Sequence, residues 1–163
     1  MVYNSPIGQL RITVNDGFVN EIFFVNDKKE IPKAESTLTK KDEVALKKCI
    51  KQLDEYFKGE RKEFDFPMLQ DGTDFQKKVW DELLNIPFGK TISYMQLSRL
   101  LGNEKAIRAV GTANGRNNLP IVVPCHRVIG SNGSLTGYGG GLWRKQWLLE
   151  HENKLANGVN LLF

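Results

Sequence analysis

A thiol and an imidazole stand side by side at Cys125 and His126, inside the stretch PIVVPCHRV, in a chain of 163 residues with only two cysteines and two histidines. A cysteine at its ordinary pKa of about 8.5 is only a few per cent thiolate at neutral pH, so nucleophilic work needs a base or a positive field beside it. His126 and Arg127 are candidates for both. Adjacent side chains usually diverge, so His126 is expected to reach the thiol only through a sharp turn or an intervening water. Such a base also needs an orienting acid. Glu150 and Glu152 flank His151 on a late segment that must pack back on the domain for one of them to hold His126. Asn117 has the side chain to brace the cysteine's turn through backbone carbonyls and amides, and LTGYGGG (residues 135–141) would serve as a mobile lid. Cys125, His126 and His151 show no ligand spacing of a known metal class, and no metal is expected.

Several elements must carry these residues. Leu10, Ile12 and Val14 alternate up to Asn15-Asp16-Gly17, and Val19, Ile22 and Phe24 follow, which predicts a β-hairpin. A polar, mobile-looking stretch, Asp27 to Thr39, comes next. Residues 42–58 place Ala45, Cys49, Gln52, Leu53, Tyr56 and Phe57 at helical spacing before Gly59, so Cys49 is read as a small buried hydrophobe without chemistry. Glu63 to Phe66 is expected to form another strand, and the turn residues of PMLQDGT put a domain boundary near residue 70.

Thr73 or Asp74 then caps a helix through Phe75, Val79, Trp80, Leu83 and Leu84, ended by Pro87 and Gly89. Ser93 caps one carrying Leu97, Leu100 and Leu101, and Asn103 caps another through Ala106, Ile107 and Val110 toward Gly115. So tight a junction predicts helix-turn-helix geometry. The second of these helices is short of bulk at Ala106, Ala109, Gly111 and Ala113, which suits close approach to another surface. A final amphipathic helix is expected from about Leu142 to Glu152 with Trp143, Trp147, Leu148 and Leu149. The class is α+β: a small N-terminal antiparallel sheet with a helix over 1–69, then a mainly helical domain over 70–163 that holds the helix-turn-helix and the cysteine.

Composition narrows the setting. Hydrophobic residues at 40% and charged residues at 26% exclude a disordered or collagen-like chain. No apolar run is long enough to span a membrane, and the start MVYNSPIGQLRITV lacks the pattern of an export signal. Two cysteines without a disulfide framework point to a reducing cytoplasm. Residues 1–69 balance 12 basic against 12 acidic side chains, whereas 70–163 hold 11 against 7, so the whole net charge of +4 lies in the second part. Lys90, Arg99, Lys105, Arg108 and Arg116 face the single acid Glu104 over residues 90–116, a bias that favours a polyanion such as nucleic acid.

The chain resembles the O6-alkylguanine-DNA alkyltransferases. The likeness rests on SPIGQLRITV, IPFGKTISY, RAVGTANGRN, LPIVVPCHRVIGS, GYGGGL and WLLEHE, in the family's order and spacing. It implies direct-reversal DNA repair, in which Cys125 accepts the alkyl group once and irreversibly after the damaged nucleotide is flipped out of the duplex. His126 would be a water-mediated base, Glu152 would hold that histidine, and Asn117 would brace the turn. Tyr94 would donate toward guanine N3, and Val128 (through its carbonyl), Tyr138 and Gly139 would line the base pocket. Arg108 would fill the space left by the flipped nucleotide, with Ala109, Thr112, Ala113, Asn114 and Arg116 along the DNA-binding helix. Family members often carry serine where Gly139 stands, leaving its backbone N–H to donate to guanine O6. The cysteine and histidine zinc ligands of some members are missing from residues 1–48, so the resemblance implies neither zinc nor any other cofactor. The implied partner is double-stranded DNA containing O6-alkylguanine, and O4-alkylthymine is a further candidate substrate. The protein would act as a monomer, with cooperative assembly on DNA left open.

Three other readings stand beside this one. A non-catalytic relative that binds alkylated bases would lack the acceptor cysteine that is present at position 125. A Cys-His-Glu hydrolase would turn over repeatedly and have no use for Arg108. A helix-turn-helix regulator would need long polar side chains for the major groove, and the second helix has few.

Overall fold

The computed structural model describes residues 1–25 and 37–158, and the chain divides into two compact units, Met1–Asp71 and Gly72–Phe163. The polar stretch expected from Asp27 to Thr39 lies outside the described residues as far as residue 36.

The first unit is an antiparallel sheet, β1 (Val2–Ser5), β2 (Gly8–Asn15) and β3 (Phe18–Phe24), with helix α1 (Lys40–Phe57). Asp16 and Gly17 both have positive φ, 51° and 79°, which is the turn geometry that the right-handed twist of a two-residue hairpin demands. Leu10 and Ile12 of β2 and Val19, Ile22 and Phe24 of β3 are buried, as are Ala45, Leu46, Cys49, Leu53, Tyr56 and Phe57 of α1. A register irregularity between Thr13 and Val14 breaks the alternation, and Val14 is only half-buried. Asp42 completes a capping box with Thr39 and also accepts from Gly17 N at 2.7 Å, so one carboxylate ties the start of α1 to the hairpin turn.

Glu63 to Phe66 is not a strand. Asp65 N donates to Gln52 Oε1 at 3.0 Å and the Gln52 amide donates back to the Asp65 carboxylate, so this backbone is satisfied by a helix side chain instead of a ladder. Contact with the sheet comes slightly later, where Val19 N donates to Pro67 O and Leu69 N to Val19 O.

The second unit contains α2 (Asp74–Leu83), β4 (Ile92–Ser93), α3 (Tyr94–Leu100), α4 (Ile107–Gly115), β5 (Val128–Ile129) and α5 (Leu142–Asn157). Thr73 with Gln76 and Ser93 with Gln96 form capping boxes at α2 and α3. Asn103 does cap at Lys105 N, but it opens a short 3-10 turn, Glu104–Ala106, and α4 begins only at Ile107. Trp80 Nε1 donates to Ala113 O at 2.9 Å, fixing α2 on α4. The two-residue ladder β4–β5 is parallel, pairing Ile92 with Val128 and Ser93 with Ile129, and so brings the segment after Cys125 beside the start of α3.

Helix α5 runs five residues beyond the expected Glu152, to Asn157, and closes at Gly158 (φ 67°), whose N–H donates to Lys154 O. Its buried side is less apolar than predicted: Trp143 is exposed, whereas Lys145, Leu148, Leu149, Glu152 and Asn153 face inward. The molecule is thus α+β, and no helix among the described residues is long and apolar enough to cross a membrane.

Candidate active site

The cysteine is presented by a strained turn. Ile121, a β-branched residue, has φ 75°, a left-handed conformation that such side chains rarely adopt. Asn117 supports it from both ends of its amide. Nδ2 donates to Val123 O at 2.8 Å, and Oδ1 accepts from Leu119 N at 3.0 Å. Val123 O also accepts from Cys125 N at 2.8 Å, and a single 3-10 turn then carries Cys125, His126 and Arg127.

All three of these side chains are buried. His126 Nε2 lies 2.7 Å from Glu152 Oε2. Of the two acids that flank His151, α5 therefore turns Glu152 inward, while Glu150 bonds Gln146. Arg127, read from sequence as a base or field for the thiol, clamps the same carboxylate. Its Nε donates to Glu152 Oε1 at 2.7 Å, Nη2 to Oε2 at 3.1 Å, and Nη1 to Ile86 O at 2.7 Å. Burial works against charge on Glu152, but His126 and Arg127 outweigh it and hold the carboxyl below the ordinary range. Burial also lowers His126, against the pull of Glu152, so the imidazole rests neutral. A carboxylate only accepts, so the proton sits on Nε2 and the lone pair on Nδ1. That Nδ1 is buried and has no hydrogen-bond partner among the described residues.

The Cys125 thiol is pushed up by burial, with a hydrogen bond involving Asn117 and the charge of Lys145 acting to lower it. Lys145 did not stand out in the sequence, because a lysine on a helix is ordinarily a solvated residue. Here it is fully buried and donates to Val128 O at 2.6 Å and Thr136 O at 2.9 Å, so it ties β5 to the glycine-rich loop. Burial brings its ammonium down to about 8, with Cys125 acting to raise it. Tyr94 meets the same loop through its hydroxyl, which donates to Thr136 O at 3.2 Å, and Lys145 Nζ lies 5.8 Å from the centre of its ring. Tyr138 is raised well above its ordinary pKa, first by burial and then by the charge of Cys125. Gly139 is exposed, with open space where a Cβ would stand.

Helix α4 presents Arg108, Ala109 and Thr112 outward, and Arg116, its C-cap, is exposed as well. Arg108 makes no ion pair among the described residues, whereas Arg99 is already paired with Glu104 at 2.9 Å. Two residues expected along the DNA-binding face are elsewhere. Ala113 and Asn114 are buried, because the 3.6-residue period turns them with Val110 toward α2 and the cysteine turn. The backbone carbonyl of Ala113 receives Trp80, and Asn114 Nδ2 donates to Cys125 O at 3.4 Å. No group of three or more metal-ligating side chains that could hold an ion occurs among the described residues.

Comparison with known proteins agrees across both units. Residues 1–70 match the family described as 6-O-methylguanine DNA methyltransferase, ribonuclease-like domain, and residues 74–154 match its DNA binding domain. A methylated-DNA–protein-cysteine methyltransferase of Methanosarcina acetivorans is 43% identical over 151 residues, which are 93% of this chain and 96% of that protein. The constitutive one of Bacillus subtilis is 45% identical over 141 residues, 83% of each. A crystal structure of the Mycobacterium tuberculosis protein in complex with DNA superposes with a TM-score of 0.83 at 41% identity, covering 95% of this chain and 92% of that one. With identity of this order over nearly its whole length, the chain belongs to the 6-O-methylguanine DNA methyltransferase family.

Proposed function

We propose that this protein reverses alkylation damage in DNA by moving the alkyl group from guanine O6 to Cys125, once per molecule. The observation that carries this reading is the buried run Cys125-His126-Arg127 locked onto Glu152, in the same unit as a helix whose outward face is small except for Arg108, with Arg116 at its C-cap, neither in an ion pair among the described residues. In the reaction the bond between O6 and the alkyl carbon breaks as the bond from Sγ to that carbon forms. The thiol proton passes to His126 Nδ1 through a water, and Glu152 stabilises the imidazolium. Tyr94 donates toward the departing base, exchanging its present acceptor, the Thr136 carbonyl. Displacement at saturated carbon leaves a thioether, which water does not cleave, so the cysteine is consumed.

The second unit is assigned both tasks. Arg108 on α4 and Arg116 at its C-cap meet the duplex, and the lesion, flipped out at a cost of a few kcal/mol, enters the pocket lined by Val128, Tyr138 and Gly139. Duplex DNA containing O6-alkylguanine is the partner, and phosphate contacts make its affinity fall with salt. The relatives' names and the DNA-bound structure of the Mycobacterium tuberculosis protein support this reading.

Intact mass after incubation with excess duplex containing O6-methylguanine, followed by peptide mapping, tests it. A gain of one methyl that stops at one equivalent and maps to Cys125 is expected. Tight binding without mass gain would replace it with non-catalytic lesion binding, and repeated release of product with hydrolysis.

A further inference from the structure

Trp143 was expected on the packed side of α5, yet its indole is 54% exposed in the helix's first turn, beside the exposed Leu142. The ring still has two close neighbours. One edge lies on Gly141, where a Cβ would stand 3.4 Å from Cδ1. The guanidinium carbon of Arg144 lies 4.5 Å from the ring centre, and Arg144 Nη1 donates to Gly140 O at 2.7 Å. Two consecutive side chains at the start of α5 therefore close on two consecutive glycines of the loop that carries Tyr138 and Gly139. That loop needs holding. Residues 139–141 are all glycine and offer no side chain to pack, and Gly141, at φ 93° and ψ 149°, occupies a region that only glycine adopts freely.

The near end of the loop is anchored at Thr136 O, which accepts from Lys145 Nζ at 2.9 Å and from the Tyr94 hydroxyl at 3.2 Å. The far end has the turn bond from Gly141 N to Tyr138 O at 2.9 Å and the bond from Arg144. Lys145 is fully buried, whereas Arg144 is half-buried, so the far anchor is the one that solvent reaches. We propose that Trp143 and Arg144 form a clasp on the far end of the glycine-rich loop, positioning residues that hold the pocket wall of Tyr138 and Gly139 in its reactive place. The proposal rests on the alkyl-transfer reading above. A planar guanidinium can lie over an aromatic ring and donate in its own plane at once, so the stack fixes the direction in which Nη1 points. The exposed indole is then explained as the backing of Arg144 and the cover of Gly141.

The test reads the clasp and its consequence separately, in the full chain. Hydrogen exchange reads the clasp: the Gly141 amide should exchange about tenfold faster in Arg144→Ala and in Trp143→Ala, and at the native rate in Trp143→Phe, which keeps an aromatic face. Single-turnover methyl transfer from duplex containing O6-methylguanine, and from the free base, reads the consequence. Arg144→Ala should lower the maximal rate about tenfold on both substrates and leave the half-saturating duplex concentration within about twofold of native, because a misplaced pocket wall affects reaction and not docking. Trp143→Ala should follow it and Trp143→Phe should restore the rate. Native exchange at Gly141 in both alanine variants would overturn the proposal. So would a loss confined to duplex with a raised half-saturating concentration, which would make Arg144 a phosphate contact, or a native rate in a variant whose loop exchanges faster. Failure of the native protein to transfer methyl from either substrate would instead overturn the alkyl-transfer reading, and the exchange measurement would still decide the clasp.

Discussion

The carboxylate of Glu152 is shared between two consecutive side chains, with His126 Nε2 at 2.7 Å from Oε2 and Arg127 Nε at 2.7 Å from Oε1. The arrangement does two separable things. Arg127 keeps the buried carboxyl ionised, and the ionised carboxyl fixes which nitrogen of His126 carries the proton. An acid bonded to histidine alone would pay the full cost of burial without a permanent cation beside it.

Glu152→Gln should therefore cost both stability and rate. It leaves the Arg127 guanidinium without its counter-charge in a buried setting, a loss of about 3 kcal/mol that urea unfolding would read. Alkyl transfer should fall by about 100-fold or more, the usual weight of a positioned base. A variant with native stability and native rate would remove Glu152 from the relay.

The pH profile of alkylation should expose the field around the thiol. Burial pushes Cys125 up, and Lys145 counteracts it. Lys145→Met should slow reaction with a free-base substrate at pH 7 by about tenfold and move the profile to higher pH. Equal loss at every pH would mean that Lys145 acts only by holding Val128 and Thr136.

Acid should destabilise the fold in two stages. Burial keeps His126 neutral in the native state, so the unfolded chain takes up a proton near pH ~6.5 that the folded chain refuses. Stability is full above that value and declines as pH falls below it. Glu152, held down by His126 and Arg127 against burial, adds a second loss as pH falls below the ordinary carboxylate value of about 4.3. Urea midpoints at pH 8, 6 and 5 should show the first stage, and His126→Asn should flatten it. A flat profile in the native protein would mean the folded imidazole already carries the proton.

Arg108→Ala should separate duplex recognition from chemistry. Arg108 is exposed on α4 and has no ion pair among the described residues, so its loss leaves the fold intact. Repair of a duplex lesion should slow at least about tenfold while reaction with the free base changes by less than about twofold. Matching losses on both substrates would contradict a role in flipping.

Much of the fold was legible because its signals are local. Asn15-Asp16-Gly17 supplies the positive φ values of the hairpin turn, Thr73 and Ser93 cap their helices within three residues, and Gly59 ends α1. Cys125, His126, Asn117 and Glu152 could be picked out by residue type and by the motifs around them.

What sequence could not decide depends on partners far along the chain. The strand expected at Glu63 to Phe66 is absent because Gln52, on α1, takes the backbone of Asp65. The β4–β5 ladder is two residues long, too short for any alternation to show. Ala113 and Asn114 share a helix with Arg108, and only the packing of α4 against Trp80 and the cysteine turn sets which of them faces outward. Lys145 and Arg127 look like surface cations, yet their bonds reach 17 and 25 residues away. Residue types and short-range spacing determined which groups were able to react. Burial, which both raises the cost of a lone charge and removes the water that would screen it, was decided by the tertiary structure alone.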